Sequence, residues 1–204
     1  MRIPTPHRTV LTVAAALLAV PGTAAASATD RPPADPLRPV TALAADPLRP
    51  VTALAADRLA TADLVAAAKW GTDSPIDDPA REQQVLDTVA TQAQRIGADP
   101  DEIRRVFRDQ IEANKLVQRG LFAEWTAHPD RAPTTKPDLN VVRQTINRIN
   151  TDLVRSLADT TADRTAPACR PELLMAAVEV HLERHQDLLH TAALARSLAR
   201  ICRN

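Results

Sequence analysis

ADPDEIRRVFRDQIEANKLVQRGLFAEW, residues 98–125, decides the fold. Asp99 is placed to cap a helix, and Pro100 takes the first helical position, where its missing N–H and fixed φ cost nothing. Ile103, Phe107 and Ile111, with Val106 and Leu116 as alternates, recur at the three- and four-residue spacing of one helical face, which predicts a long helix to about residue 127. The same Asp-Pro signal stands at Asp78 and Pro79, ahead of a helix predicted from 79 to about 96 and closed by Gly97. Asp138 precedes a further helix, in which Leu139, Val142, Ile146, Ile149, Leu153 and Leu157 keep a three-four spacing. No stretch alternates convincingly as a strand.

Composition agrees with helices. The 204 residues are 45% hydrophobic, but mostly Ala, Leu and Val, with two Phe, two Trp, no Tyr and four Gly. That palette suits packed helices rather than sheets, and the length suffices for one domain with a real core. The sequence therefore predicts an all-α chain of about six helices in a single domain. Formal net charge is +0, and no basic block interleaves with aromatics, so the electrostatic footprint of a nucleic-acid partner is missing.

The N-terminus reads as a secretory signal over residues 1–28. Arg2 and Arg8 form its basic region, VLTVAAALLAV (10–20) its apolar core and TAAASA (23–28) a small-residue cleavage site, with cleavage expected after Ala26 or Ala28. Removing it takes away two arginines and no acid, leaving 23 basic against 25 acidic residues, a formal net of −2. No later apolar run approaches the ~18 residues of a membrane span, so the mature chain is expected to be exported, periplasmic or extracellular, without a membrane partner. In an oxidising compartment the pair Cys169 and Cys202 is expected to be bridged. A straight helix over 171–202 would run about 48 Å at ~1.5 Å per residue, whereas bridged Cα atoms lie about 5.5 Å apart. The segment must fold back, and a break is expected between Arg184 and His190, near Asp187.

Residues 29–49 form a Pro-rich lead. It contains the first copy of DPLRPVTALAA (35–45) and the start of an identical second copy (46–56), which the related DRLATADLVAA follows. Two copies beside a diverged third suggest a duplication rather than a solenoid, which needs several longer stacked units. The second copy can supply the first turns of a helix, with Pro50 near its start, that continues through Trp70. The helical domain is thus expected over 50–204.

Candidate site residues are polar groups where the pattern expects core. Within DRLATADLVAAAKW (57–70), Arg58 and Lys69 are eleven residues apart. At ~100° per residue they return to within about 20° of one face, which the spacing alone reads first as a solvated pair on an outer face and which only their surroundings can turn inward. Asn114 and Gln118 lie one turn apart on the long helix, a pair that on its own is more often found at the surface. Arg81 and Arg143 each fall in the first turn of a helix, where the local dipole disfavours a cation and an anionic ligand would explain one. No nucleophile and base are matched. His181 and His185 are an i, i+4 pair, but HLERH lacks the order of the zinc-protease motif and has no obvious third ligand, so no metal is expected.

DRLATADLVAAAKW, PIDDPAREQQ, DPDEIRRVFRDQIEANKLVQ, PDLNVVR and the terminal cysteine pair closely resemble the secreted, all-helical chorismate mutases of the gamma subclass. The resemblance covers about residues 50–204 and lies in spacing: an Arg, a Lys-Trp eleven on, an Arg twelve further, the D-Q-I helix and P-D-L-x-x-x-R. It implies an intramolecular Claisen-type rearrangement of chorismate to prephenate, without cofactor, in the branch of aromatic amino acid biosynthesis leading to Phe and Tyr. It also implies a homodimer with each active site built within one chain. Arg58, Lys69, Arg81 and Arg143 match positions that hold the substrate's two carboxylates and its ether oxygen, with Lys69 donating to the oxygen as the C–O bond breaks. Gln118 matches a second donor to that oxygen, and Asn114 a small polar residue near a carboxylate. Asp78 matches an acidic position of the pocket, facing the ring hydroxyl or orienting a cation. Glu82 resembles the acid that cytosolic relatives use for the hydroxyl.

A reaction within one dianion calls for no nucleophile or proton carrier, only for a folded conformer and preorganised donors. Two positions depart from the family pattern. Some secreted relatives carry Glu at the place of Gln118, which must be protonated to donate, so Gln118 implies a flat pH profile. Val85 stands where some relatives have a polar group, which leaves the division of labour between Glu82 and Gln83 open. An isochorismate pyruvate lyase on the same scaffold, or a non-catalytic secreted helical protein that binds a partner or a small anion, would share these cations.

Overall fold

Short acidic side chains start four of the described helices. In the computed structural model, which describes residues 46–203, α1 (Arg49–Lys69) is followed by α2 (Pro79–Arg95), α3 (Pro100–Ala127), a 3₁₀ turn (Pro129–Arg131), α4 (Leu139–Asp159), α5 (Thr161–Thr165), α6 (Cys169–Arg184) and α7 (Leu188–Ser197). The expected signal segment, most of the Pro-rich lead and the first DPLRPVTALAA copy lie outside the described residues. Asp78 Oδ1 accepts from the Arg81 N–H at 3.0 Å, Asp99 Oδ1 from the Asp101 N–H at 2.9 Å and Asp138 Oδ1 from the Asn140 N–H at 2.8 Å. Each satisfies a backbone donor that the first helical turn would leave orphaned. Gly97, at φ 74°, follows α2 in the left-handed conformation that a side chain would strain.

The chain is all-α among the described residues, as the periodicity predicts. About six helices were expected and seven are present among the described residues, the addition being the five-residue α5. α1 begins at Arg49, with Pro50 in its first turn and Leu48 fully buried, and Trp70 caps its end. The fold-back falls where the cysteine argument requires it. α6 ends at Arg184, His185 turns the chain at φ 49°, and Asp187 caps α7 by accepting from the His190 N–H at 2.8 Å. The bridge between Cys169 and Cys202 closes with Cα atoms 5.8 Å apart.

α1 lies at the centre, packed against α3, α4, α6 and α7. It is buried on nearly all sides, and its many alanines let the neighbouring helices approach closely. Leu59, Phe107, Ile103, Leu153 and Leu157 are core residues. Leu116 is 38% exposed, contrary to the expected stripe, because the buried face of α3 runs through Ala113, Val117 and Gln118 beside it. At the end of α1, Trp70 packs edge-on against Phe122 and Trp125 at centroid distances of 5.0 and 5.4 Å. That aromatic contact anchors the turn carrying Lys69 to the end of α3.

Candidate active site

The inner faces of α1, α2, α3 and α4 enclose a cavity of about 100 Å³. Arg58, Lys69, Asp78, Arg81, Glu82, Asn114, Gln118 and Arg143 all line it. The structure therefore brings together every residue singled out for the pocket from the sequence. Val65, Ile76, Val85, Ile111, Leu139 and Ile146 supply an apolar wall. The cavity is thus a mostly hydrophobic cleft with convergent polar groups, the usual construction of a small-molecule site.

Arg58 and Lys69 do share a face, and that face is inward: they are 5% and 9% exposed. The Arg58 guanidinium donates from Nη1 to the Gln110 carbonyl at 2.8 Å and from Nε to Asn150 Oδ1 at 3.0 Å, beside the Phe107 ring. Both partners are neutral, and burial pushes its pKa down to about 10. Lys69 Nζ donates to the Pro75 carbonyl at 2.7 Å, within the loop joining α1 to α2. Burial lowers its pKa, an effect that Arg143 reinforces and Asp78 opposes. Burial also lowers that of Arg81, again with Arg143 adding to it and Asp78 opposing. Cations held this way lack full compensation within the protein, and a bound dianion would supply it.

The dipole argument holds for Arg81, which sits in the first turn of α2. It does not hold for Arg143. α4 begins at Leu139, so Arg143 starts the second turn, where the terminal field has weakened. What explains Arg143 is its place in the cavity wall, on the same α4 face as Ile146 and Asn150. Gln118, 3% exposed, donates from Nε2 to Asn114 Oδ1 at 2.7 Å. Its Oε1 is buried without a hydrogen-bond partner, and the second hydrogen of the amide is not used in that pair. Asp78 has two roles: it caps α2 and it lines the cavity.

Glu82 is engaged by cations on both oxygens, Lys115 at 3.0 Å and Arg108 at 3.2 Å. Lys115 was not singled out from the sequence. It lines the cavity and also meets Asp77 at 3.1 Å and Glu112 at 2.8 Å. Burial lowers its pKa, but these carboxylates outweigh that and raise it overall. Asp77 is gripped again by Arg119 at 2.7 and 2.9 Å, so the loop carrying Pro75 is pinned to α3. In the sequence only the i, i+3 pair Glu112 and Lys115 could have signalled this lattice. No group of three or more His, Cys, Asp or Glu side chains among the described residues is arranged to hold a metal.

A family model described as chorismate mutase type II matches residues 50–119. A secreted chorismate mutase of Mycolicibacterium smegmatis is 38% identical over 141 residues, which cover 69% of this chain and 78% of that one. One from Mycobacterium tuberculosis is 34% identical over 140 residues, covering 69% and 70%. The crystal structure of a chorismate mutase from Burkholderia phymatum has the same fold, with a TM-score of 0.74 at 35% identity over 78% of this chain and 98% of its own. With the helical bundle and the cation-lined cavity between its inner faces, these matches show that the chain belongs to the type II chorismate mutases.

Proposed function

We propose that this cavity converts chorismate to prephenate by electrostatic and conformational catalysis. The reaction breaks an ether C–O bond as a C–C bond forms within the same molecule, so no proton, electron or co-reactant enters. Its cost is folding the substrate into a reactive conformer and stabilising the charge that grows on the ether oxygen. The observation that carries this reading is the convergence of Arg58, Lys69, Arg81 and Arg143 on one cavity.

In this reading Arg58, Arg81 and Arg143 hold the two carboxylates, planar guanidiniums being matched to them by paired hydrogen bonds. Lys69 and Gln118 donate to the ether oxygen, and Asn114 assists at a carboxylate. Asp78 and Glu82 serve the ring hydroxyl or orient the cations beside them. All eight groups come from one chain, which supports a site complete within each chain of the homodimer that the family resemblance implies. The leader-like residues 1–28 and the secreted relatives support export. No described helix is long and apolar enough to cross a membrane.

The test is to mix the purified protein with chorismate, follow loss of its absorbance and identify the product, alongside Lys69→Ala. Prephenate formed by the wild type, and nearly abolished in the variant, is expected. A wild type that turned over isochorismate but not chorismate would make the site a lyase, and one that bound chorismate without turnover would make it a binding protein.

A further inference from the structure

Elsewhere in this chain, arginines that reach the interior are given carboxylates. Arg196 and Arg200 donate to the fully buried Asp109 at 2.6 and 3.0 Å, and the buried Arg164 is paired with Glu102. Arg58 is treated differently. Its two partners, the Gln110 carbonyl on α3 and Asn150 Oδ1 on α4, fix the guanidinium from two sides and carry no charge. Of its five N–H donors two are used there, leaving one on Nη1 and both on Nη2.

We propose that Asn150 is a positioning residue that orients Arg58 toward the substrate while withholding a counter-charge. Asn150 is 3% exposed and is joined to the site through α4. Arg143, Ile146 and Asn150 follow the i, i+3, i+7 spacing of one helical face, and the first two line the cavity. Asn150 lies deeper on that face and reaches the cavity through the guanidinium it holds. A carboxylate in its place would keep the hydrogen bond but would give Arg58 a permanent anion, and the substrate's carboxylate would then compete with it. An apolar side chain would leave the charge free but would strand a buried Nε–H and let the guanidinium turn. The amide does neither.

Two substitutions separate these effects. Asn150→Asp keeps shape and acceptor, so kcat is expected within about threefold of wild type and thermal stability undiminished, while KM for chorismate rises about tenfold. Asn150→Ala keeps neutrality and loses the acceptor, and kcat is expected to fall about tenfold or more as the guanidinium loses its alignment. Gln94→Glu, the same charge change on the exposed C-terminal part of α2 away from the cavity, is expected to leave both constants unchanged. A KM within twofold of wild type in folded Asn150→Asp would overturn the proposal, whether or not Asn150→Ala folds. So would a KM that rose equally in Gln94→Glu. The inference rests on Arg58 holding a substrate carboxylate. Calorimetric binding of prephenate, itself a dianion, to wild type and Asn150→Asp reads the same shift without turnover. An inactive wild type would therefore end the functional reading while leaving this one decided by binding.

Discussion

Gln118 and Asn114 lie one turn apart on α3 and are joined by a 2.7 Å hydrogen bond from the Gln118 amide to the Asn114 carbonyl oxygen. That bond fixes which way the Gln118 amide faces, and its remaining hydrogen is a donor that does not titrate. The wild-type kcat is accordingly expected to be level between about pH 6 and 8. Gln118→Glu puts a titratable group at the same place, and a carboxyl donates only when protonated. Its kcat should fall as pH rises through the pKa of that carboxyl, since the ionised form offers no hydrogen. The nearby cations favour ionisation, so at neutrality the loss should be large, about 10²-fold or more. A level profile for the variant, at wild-type rate, would show that residue 118 does not donate to the reacting atoms.

The parts of this enzyme that were legible in its sequence are those governed by local rules. Asp78, Asp99 and Asp138 announce their helices because a capping side chain acts within four residues, helped after Asp78 and Asp99 by a proline at the first position. Of the four cations, Arg81 was legible as a first-turn exception, and the eleven-residue spacing of Arg58 and Lys69 places them on one face whatever surrounds them. That this face is inward, and the place of Arg143, came from the family resemblance. Asn150 was not legible, since its importance lies in a bond to a residue 92 positions away. Lys115 reads as a solvated helix cation until the fold brings Asp77 and Glu82 to it. Leu116 was misplaced because a 28-residue helix lets its buried face drift from a strict three-four pattern.

Burial lowers the pKa of Lys69, and its charge is what a developing ether oxygen requires. Lys69→Ala is expected to reduce kcat by about 10²–10³-fold, the usual effect of removing a preorganised donor to growing charge. A depressed pKa means that the free enzyme loses this proton below the ordinary lysine value of 10.5. The wild-type kcat/KM should therefore begin to decline on the alkaline side before that pH. A kcat/KM that stayed level through pH 10.5 would show that the lysine charge is not used.

Cys169 and Cys202 close a loop with a sequence separation of 33, and neither lines the cavity. Constraining a loop of that size in the unfolded chain stabilises the folded one by about 3–4 kcal/mol in the chain-entropy account. The double substitution Cys169→Ser, Cys202→Ser should lower the thermal midpoint substantially, while kcat and KM measured well below that midpoint stay near wild type. A selective rise in KM in the folded double variant would instead connect the C-terminal segment to the pocket.

His190 bridges α1 and α7. Its Nε2 meets Asp63 at 3.1 Å, and its Nδ1 meets Asp187 at 2.8 Å. The hydrogen bond to Asp63 is the largest influence. Burial opposes it, the Asp187 hydrogen bond adds to it, and together they lift the imidazole pKa from 6.5 to about 9. Because the folded pKa is raised above the unfolded one, the folded state binds the proton more tightly, and this contribution to stability is present in full below about pH 6.5. It is lost as pH rises from 6.5 through 9. Asp63 is half exposed, so solvent screening reduces the effect to about 1–2 kcal/mol. Urea unfolding of wild type and Asp63→Asn at pH 6 and pH 9.5 isolates it. The wild type should be the more stable by that amount at pH 6, and the two should converge at pH 9.5. A difference that is the same at both pH values would mean that Asp63 acts through packing rather than through the imidazolium.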